Sequence, residues 1–266
     1  MINYFCSLSP IYQALLAGIF TWFITLLGSG LVFFFKKINN TILELTLGFS
    51  AGIMIAASFF SLLDPAIAMA NSLNMRNYIV ISIGFILGAL LILLCEKIYN
   101  YLMKKSKNNI DQGKKRCMLL ISSITLHNIP EGLVIGVSFG SLIYHITGSS
   151  LISSLTLALG IGIQNFPEGC AISLPLRREG YSTKKAFFIG QLSAVVEPIS
   201  ALIGSLLVMK IKILLPYLLS LAAGAMIFVA ISELIPESQK NKNKNLMTIS
   251  TIIGFTIMMF LDVALG

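Results

Sequence analysis

Glu131, Glu168 and Glu197 stand where carboxylates are costly. Each falls near the middle of a long apolar stretch, and no Lys or Arg lies at comparable depth to pair with it. A charged side chain at the centre of a bilayer costs roughly 2.5–3.5 kcal/mol on insertion scales. Three such acids without basic partners either carry protons or converge on bound cations. Their neighbours favour the second case. One stretch reads His127-Asn128-Ile129-Pro130-Glu131-Gly132 and the next reads Gln164-Asn165-Phe166-Pro167-Glu168-Gly169, a local repeat matching at Asn, Pro, Glu and Gly.

On a helix His127 and Glu131 are four residues apart and share one face, as do Gln164 and Glu168. Asn128 and Asn165, three residues before each Glu, flank that face. Each turn thus offers nitrogen and oxygen donors pointing one way. A neutral imidazole with carboxylates suits zinc and similar divalent cations. A mid-helix Pro lacks an N–H, so Pro130 frees the carbonyl of Leu126 and Pro167 that of Ile163. Such carbonyls are tolerated in a membrane where they are buried in protein or line a wet cavity, and kinks there widen the space between helices. Singly, each feature has an ordinary explanation: the His as a helix–helix hydrogen-bonding group, the Pro as a kink, the Glu as a protonated acid. The set, repeated and joined by Glu197, points to metal.

Membrane helices must hold these residues. Of 266 residues, 56% are hydrophobic and 11% charged, against about 25% charged in a typical soluble domain. A spanning helix needs roughly 20 apolar residues. Apolar runs fall at 11–35, 41–63, 78–99, 116–140, 151–176, 186–209, 213–235 and 246–265. The expected fold is an all-α membrane protein, a single domain over 1–266, with eight transmembrane helices and a metal site between helices 4, 5 and 6. Short connections favour neighbouring positions for those three.

Charge placement tests the count. Of the 19 basic residues, only Arg76, Lys210 and Lys212 lie in the second and sixth connections, and the fourth has none. The rest crowd the odd ones: Lys36 and Lys37, Lys97 to Arg116, Arg177 to Lys185, and Lys240 to Lys244. The positive-inside rule puts those connections in the cytoplasm and both termini outside it. Residues 100–115 then form a cytoplasmic basic loop between helices 3 and 4, which holds no His and is given no metal role. The net charge of +8 reflects this orientation and contact with the headgroups of the lipid bilayer, not nucleic acid. No Lys or Arg precedes Lys36, so the first run reads as a retained span rather than a secretory leader, which fits a bacterial inner membrane. Cys6, Cys95, Cys117 and Cys170 suggest no disulfide framework.

At these motifs the chain resembles the ZIP (Zrt-, Irt-like protein) metal transporters, and within them the GufA-like branch. The two hexapeptides carry the resemblance. So do Glu197, Gly224-Ala225-Met226 running to Glu233-Leu234-Ile235-Pro236-Glu237, and Ser58-Phe59-Phe60-Ser61-Leu62-Leu63-Asp64-Pro65. The resemblance implies an eight-helix carrier with both termini outside the cytoplasm, moving zinc, iron, manganese or cadmium toward the cytosol through a binuclear site. It gives His127, Glu131, Gln164 and Glu168 to one metal. It gives Asn128, Glu131, Asn165, Glu168 and Glu197 to the other, with Glu131 and Glu168 bridging. Many family members have a second His where this chain has Gln164, and the GufA-like branch resembles this chain there. An amide is a harder and weaker ligand than imidazole, which leaves Mn2+, Fe2+ and Cd2+ open beside Zn2+. Ser232, where many relatives have His, weakens the case for a metal site near the exit.

The expected mechanism is alternating access. A divalent cation arrives from outside, drawn by Asp64, sheds water at the midplane, and leaves past Glu233 and Glu237 after a helix bundle rocks. The metal is substrate; no organic cofactor and no catalytic residue is expected. Glu44 is expected at the interface and His145 in an outer loop, neither with a metal role. Two alternatives come from other classes. An intramembrane zinc-dependent hydrolase needs an open metal position and a nearby general acid or base, but the chain has no H-E-x-x-H and one intramembrane His. A proton-coupled carrier of an organic solute would use the glutamates as relays. The physiological metal, the coupled ion and association into a homodimer stay open.

Overall fold

In lipid an apolar run has one self-sufficient backbone solution, the α-helix, which satisfies its N–H and C=O groups internally. The computed structural model describes residues 2–35, 39–105, 112–145, 147 and 149–265; Lys36, Lys37 and the 106–111 part of the expected basic loop lie outside the described residues. Among the described residues there is no strand. Among the described residues a short helix Ile2–Ser7 precedes eight long ones. These are α1 (Pro10–Phe33), α2 (Asn40–Ser72), α3 (Asn77–Lys105), α4 (Gln112–Gly140), α5 (Leu151–Arg178), α6 (Thr183–Lys210), α7 (Lys212–Ser238) and α8 (Lys244–Leu265). Among the described residues six, α1, α2, α3, α6, α7 and α8, are long and apolar enough to cross a membrane. The other two, α4 and α5, are 29 and 28 residues long and carry the polar hexapeptides.

Local sequence sets the helix starts. Asn39, Ser150 and Ser182 cap α2, α5 and α6 by accepting from the N–H groups of Thr41, Ser153 and Lys185. Pro10 opens α1, where its missing N–H costs nothing. Three helices are irregular inside. Two contain π segments, Ser58–Leu63 in α2 and Ala230–Leu234 in α7. Each lies just before a proline: Pro65 has no N–H for the Ser61 carbonyl, nor Pro236 for that of Ser232, and a π turn brings up a donor one residue further on. The third, α6, opens into a turn over 193–195 and resumes at Val196, so Glu197 sits in the first turn of its second half. Both α4 and α5 stay helical through Pro130 and Pro167.

Glycines let the helices touch backbone to backbone. A Cβ on Gly136 of α4 would lie 2.0 Å from the Ala201 carbonyl oxygen of α6, and one on Gly28 of α1 would lie 2.0 Å from that of Phe166 in α5. Likewise Gly52 of α2 would meet the Thr251 carbonyl oxygen of α8 at 2.0 Å, and Gly88 of α3 that of Leu221 in α7 at 1.8 Å. Close approach of this kind drives association where lipid removes the hydrophobic gain. Two groups result: α1, α4, α5 and α6 pack together, as do α2, α3, α7 and α8, and they meet chiefly where α2 lies on α5 and α7 on α4. Exposed apolar side chains such as Ile83 and Leu90 on α3, and Ile252 and Phe260 on α8, form the kind of surface that acyl chains cover.

Gly88→Ala should overpack the α3–α7 seam at a cost of about 1–3 kcal/mol and lower the melting temperature in detergent. Gly30→Ala, where the nearest atom to a new Cβ is 3.9 Å away, should leave it unchanged. Equal effects at the two positions would contradict the seam.

Candidate metal site

Each hexapeptide reaches across to the acid of the other. Gln164 Nε2 on α5 donates to Glu131 Oε1 on α4. His127 Nε2 on α4 lies 3.5 Å from Glu168 Oε2 on α5, close but without a hydrogen bond. The third side comes from α6: Asn165 Nδ2 donates to Glu197 Oε2 at 2.8 Å, and Asn128 Nδ2 donates to the Ser193 carbonyl, at the break in that helix, at 3.1 Å. The closing Gly of each hexapeptide makes room for the neighbouring backbone. A Cβ on Gly132 would lie 2.3 Å from the Glu197 carbonyl oxygen, and one on Gly169 2.2 Å from that of Thr25. All seven side chains named from the sequence, His127, Asn128, Glu131, Gln164, Asn165, Glu168 and Glu197, are at most 2% exposed.

The electrostatics are one-sided. Glu131 lies within charge-interaction range of both Glu168 and Glu197, and Glu197 within range of Glu168. The hydrogen bonding is incomplete as well. Asn128 Oδ1, Glu131 Oε2, Gln164 Oε1, Asn165 Oδ1, Glu168 Oε1, Glu197 Oε1 and both ring nitrogens of His127 have no hydrogen-bond partner. Buried polar atoms are rarely left so. The unpaired atoms are carboxylate and amide oxygens and an imidazole, a donor set suited to a divalent cation. Among the described residues no three His, Cys, Asp or Glu side chains form a metal cage by themselves. The amides of Asn128, Gln164 and Asn165 stand between the acids, so a cation held here needs amide oxygens as well as carboxylates.

The remaining sequence-predicted residues lie apart. Asp64 is exposed where α2 resumes after its π segment. Glu233, in the π segment of α7, lies beside Glu96 of α3, and both lie within charge-interaction range of His127. Glu237 is paired with Lys240. Glu44 accepts from Asn241 Nδ2 at 2.6 Å, and His145 is exposed with a left-handed backbone after the 3-10 turn that ends α4. Sequence reasoning misses Glu96, which reads as a span-end acid. It also misses α1, whose Thr21 carbonyl accepts from Asn165 Nδ2 at 3.4 Å and whose Thr21 side chain lies near Glu197.

Residues 12–117 and 104–262 match the family model of the ZIP zinc transporters. The chain belongs to that family. It is 37% identical to zinc transporter ZIP11 of Xenopus tropicalis, over 97% of this chain and 98% of the relative. It is 35% identical to zinc transporter ZIPB of Bordetella bronchiseptica, over 95% and 81%, and 31% identical to zinc transporter GufA of Myxococcus xanthus, over 78% and 81%. The resemblance read from the hexapeptides is thereby established. Membership in the ZIP family makes the chain an integral membrane protein of a transporter family rather than an enzyme, so the hydrolase alternative falls away.

Gln164→His should tighten Zn2+ relative to Mn2+ by roughly tenfold, about 1.4 kcal/mol, because imidazole is the softer donor. Competition binding on the purified ZIP protein measures this, and an unchanged ratio would remove Gln164 from the metal's surroundings.

Proposed function

We propose that the chain carries divalent transition-metal cations, zinc foremost and Cd2+, Mn2+ and Fe2+ beside it, into the cytosol by alternating access through a binuclear midplane site. One observation carries this reading. Three buried carboxylates converge with one imidazole and three amides, and among the described residues none of the three carboxylates pairs with a Lys or Arg. The names of the relatives, all zinc transporters, support zinc as the principal cargo.

In this reading α4 and α5 cross the membrane with the other six long helices, and the polar middles of these two are the reason they look less apolar. The bias of basic residues toward the odd connections supports both termini lying outside the cytoplasm. His127, Glu131, Gln164 and Glu168 hold one cation. Asn128, Glu131, Asn165, Glu168 and Glu197 hold the other. Bridging by Glu131 and Glu168 spreads few negative charges over two ions, so each is bound firmly enough to enter and loosely enough to leave. Asp64, exposed on α2, gathers cations at the outer side. The Glu96–Glu233 pair, next to His127, receives them on the way to the cytosol, with Glu237 beyond it.

Sealed proteoliposomes test this directly. The parent should show saturable zinc uptake, and His127→Ala combined with Glu131→Ala should abolish it. Lowering the external pH should raise the apparent KM, because protons compete with the cation for the same nitrogen and oxygen atoms. Zinc uptake indifferent to the double substitution would overturn the assignment.

A further inference from the structure

The surroundings of the site repeat beyond the two hexapeptides. Thr21 Oγ1 on α1 donates to the Gly18 carbonyl at 3.0 Å, and Ser193 Oγ on α6 donates to the Gly190 carbonyl at 2.7 Å. The Thr21 carbonyl accepts from Asn165 Nδ2 at 3.4 Å, and the Ser193 carbonyl accepts from Asn128 Nδ2 at 3.1 Å. The close approaches match as well: Gly169 onto the Thr25 carbonyl oxygen, Gly132 onto that of Glu197. Gly18 and Gly190, Thr21 and Ser193, and Thr25 and Glu197 are separated by one and the same number of residues. A single other spacing separates Asn128 from Asn165, Glu131 from Glu168, and Gly132 from Gly169. So α1 faces α5 as α6 faces α4. The first spacing also joins Gly52 of α2 to Gly224 of α7, whose added Cβ atoms would meet the Thr251 and Phe85 carbonyl oxygens at 2.0 and 1.9 Å.

Under this exchange the ligand-bearing positions map onto polar mates: His127 onto Gln164, Asn128 onto Asn165, Glu131 onto Glu168. One carboxylate has a neutral mate. Glu197 of α6 corresponds to Thr25 of α1, a buried residue whose hydroxyl donates to the Thr21 carbonyl at 3.3 Å, the same carbonyl that Asn165 reaches. The break before Glu197 thus carries a third carboxylate into the site from one wall, while the corresponding position of the opposite wall, packed on Gly169 as Glu197 is on Gly132, holds a hydroxyl bonded within its own helix.

We propose that Thr25 is the affinity-setting position of the cation site, the mate of Glu197, where a neutral hydroxyl holds the site at three carboxylates and biases the second cation toward α6. This rests on the cation-transport reading above. A fourth carboxylate at Thr25 strengthens attraction in a site shielded from water and hinders departure, since conduction needs binding weak enough to leave. Moving the acid from α6 to α1 rebuilds the same ligand set in the mirrored sense.

The test measures zinc uptake and zinc binding for the full chain in four forms beside the parent: Glu197→Thr, Thr25→Glu, the two combined, and Thr25→Cys. Glu197→Thr should lower uptake at least about tenfold, in line with losses on removing metal-orienting groups. Adding Thr25→Glu to it should restore most of that loss. Thr25→Glu alone should lower both the Kd for zinc and the maximal uptake rate. A combined variant with the parent's melting temperature but no more uptake than Glu197→Thr overturns the proposal. So does parental behaviour of either single variant. Where Glu at position 25 prevents folding, the near-isosteric Thr25→Cys decides. Zinc should shield the new thiol from a methanethiosulfonate reagent, relative to the parent's own cysteines, and a thiol that zinc does not protect, or that the reagent never reaches, overturns the proposal. A parent that takes up no zinc overturns the transport reading instead, so the two failures are distinct.

Discussion

Three carboxylates buried among membrane helices without a basic partner impose the constraint on which the rest of this structure depends. Burial strips them of water, and a charge in that setting persists only when another charge answers it. The surrounding side chains do not supply one. Asn165 and Gln164 each give a single N–H to Glu197 and Glu131, leaving a second oxygen on each acid unpaired. Asn128 spends its N–H on the Ser193 carbonyl and leaves its oxygen free. Each amide is thus oriented by its nitrogen while its oxygen has no hydrogen-bond partner, a pattern that suits cation coordination better than a structural polar network, where every member must be satisfied.

The backbone is shaped to let this happen. Gly132 and Gly169 remove the Cβ atoms that would hold α6 and α1 away from the acids. The turn over 193–195 interrupts α6 so that Glu197 falls in the first turn of a new helical segment, and it frees the Ser193 carbonyl to face Asn128. Pro65 and Pro236 place π segments in α2 and α7, and the second of these sets Glu233 beside Glu96, on the side of His127. The four helices around the candidate site share glycine seams among themselves and meet the other four along fewer contacts.

Much of this was legible in the sequence because polarity inside apolar runs is so conspicuous. The hexapeptides and Glu197 named seven side chains that the structure gathers in one place, and the helix starts at Asn39, Ser150 and Ser182 follow ordinary capping chemistry. The apolar run that ends at residue 63 continues as helix to Ser72, since a π segment absorbs Pro65 where a sequence reading sees a stop. Likewise Pro130 and Pro167 sit inside continuous helices, whereas the interruption falls in α6 over 193–195, just before Pro198, which has no N–H for the Ala194 carbonyl. Glu96 was hidden by its place near a helix end: only the packing of α3 on α7 brings it to Glu233. The role of α1 was hidden because its contribution is a backbone carbonyl and hydroxyls, which carry no sign in a list of charged residues. The constant spacing of Gly18, Thr21 and Thr25 from Gly190, Ser193 and Glu197 was present to be read, but the residue types differ at two of the three positions, and contacts were needed to give it meaning.

Anomalous diffraction at the zinc edge from crystals of the zinc-loaded chain tests the central claim most directly. Two peaks are expected in each chain, both bounded by Glu131 and Glu168, one beside the His127 imidazole and the other beside Glu197. Zinc found only elsewhere, or these three acids turned toward acyl chains and away from one another, would contradict it.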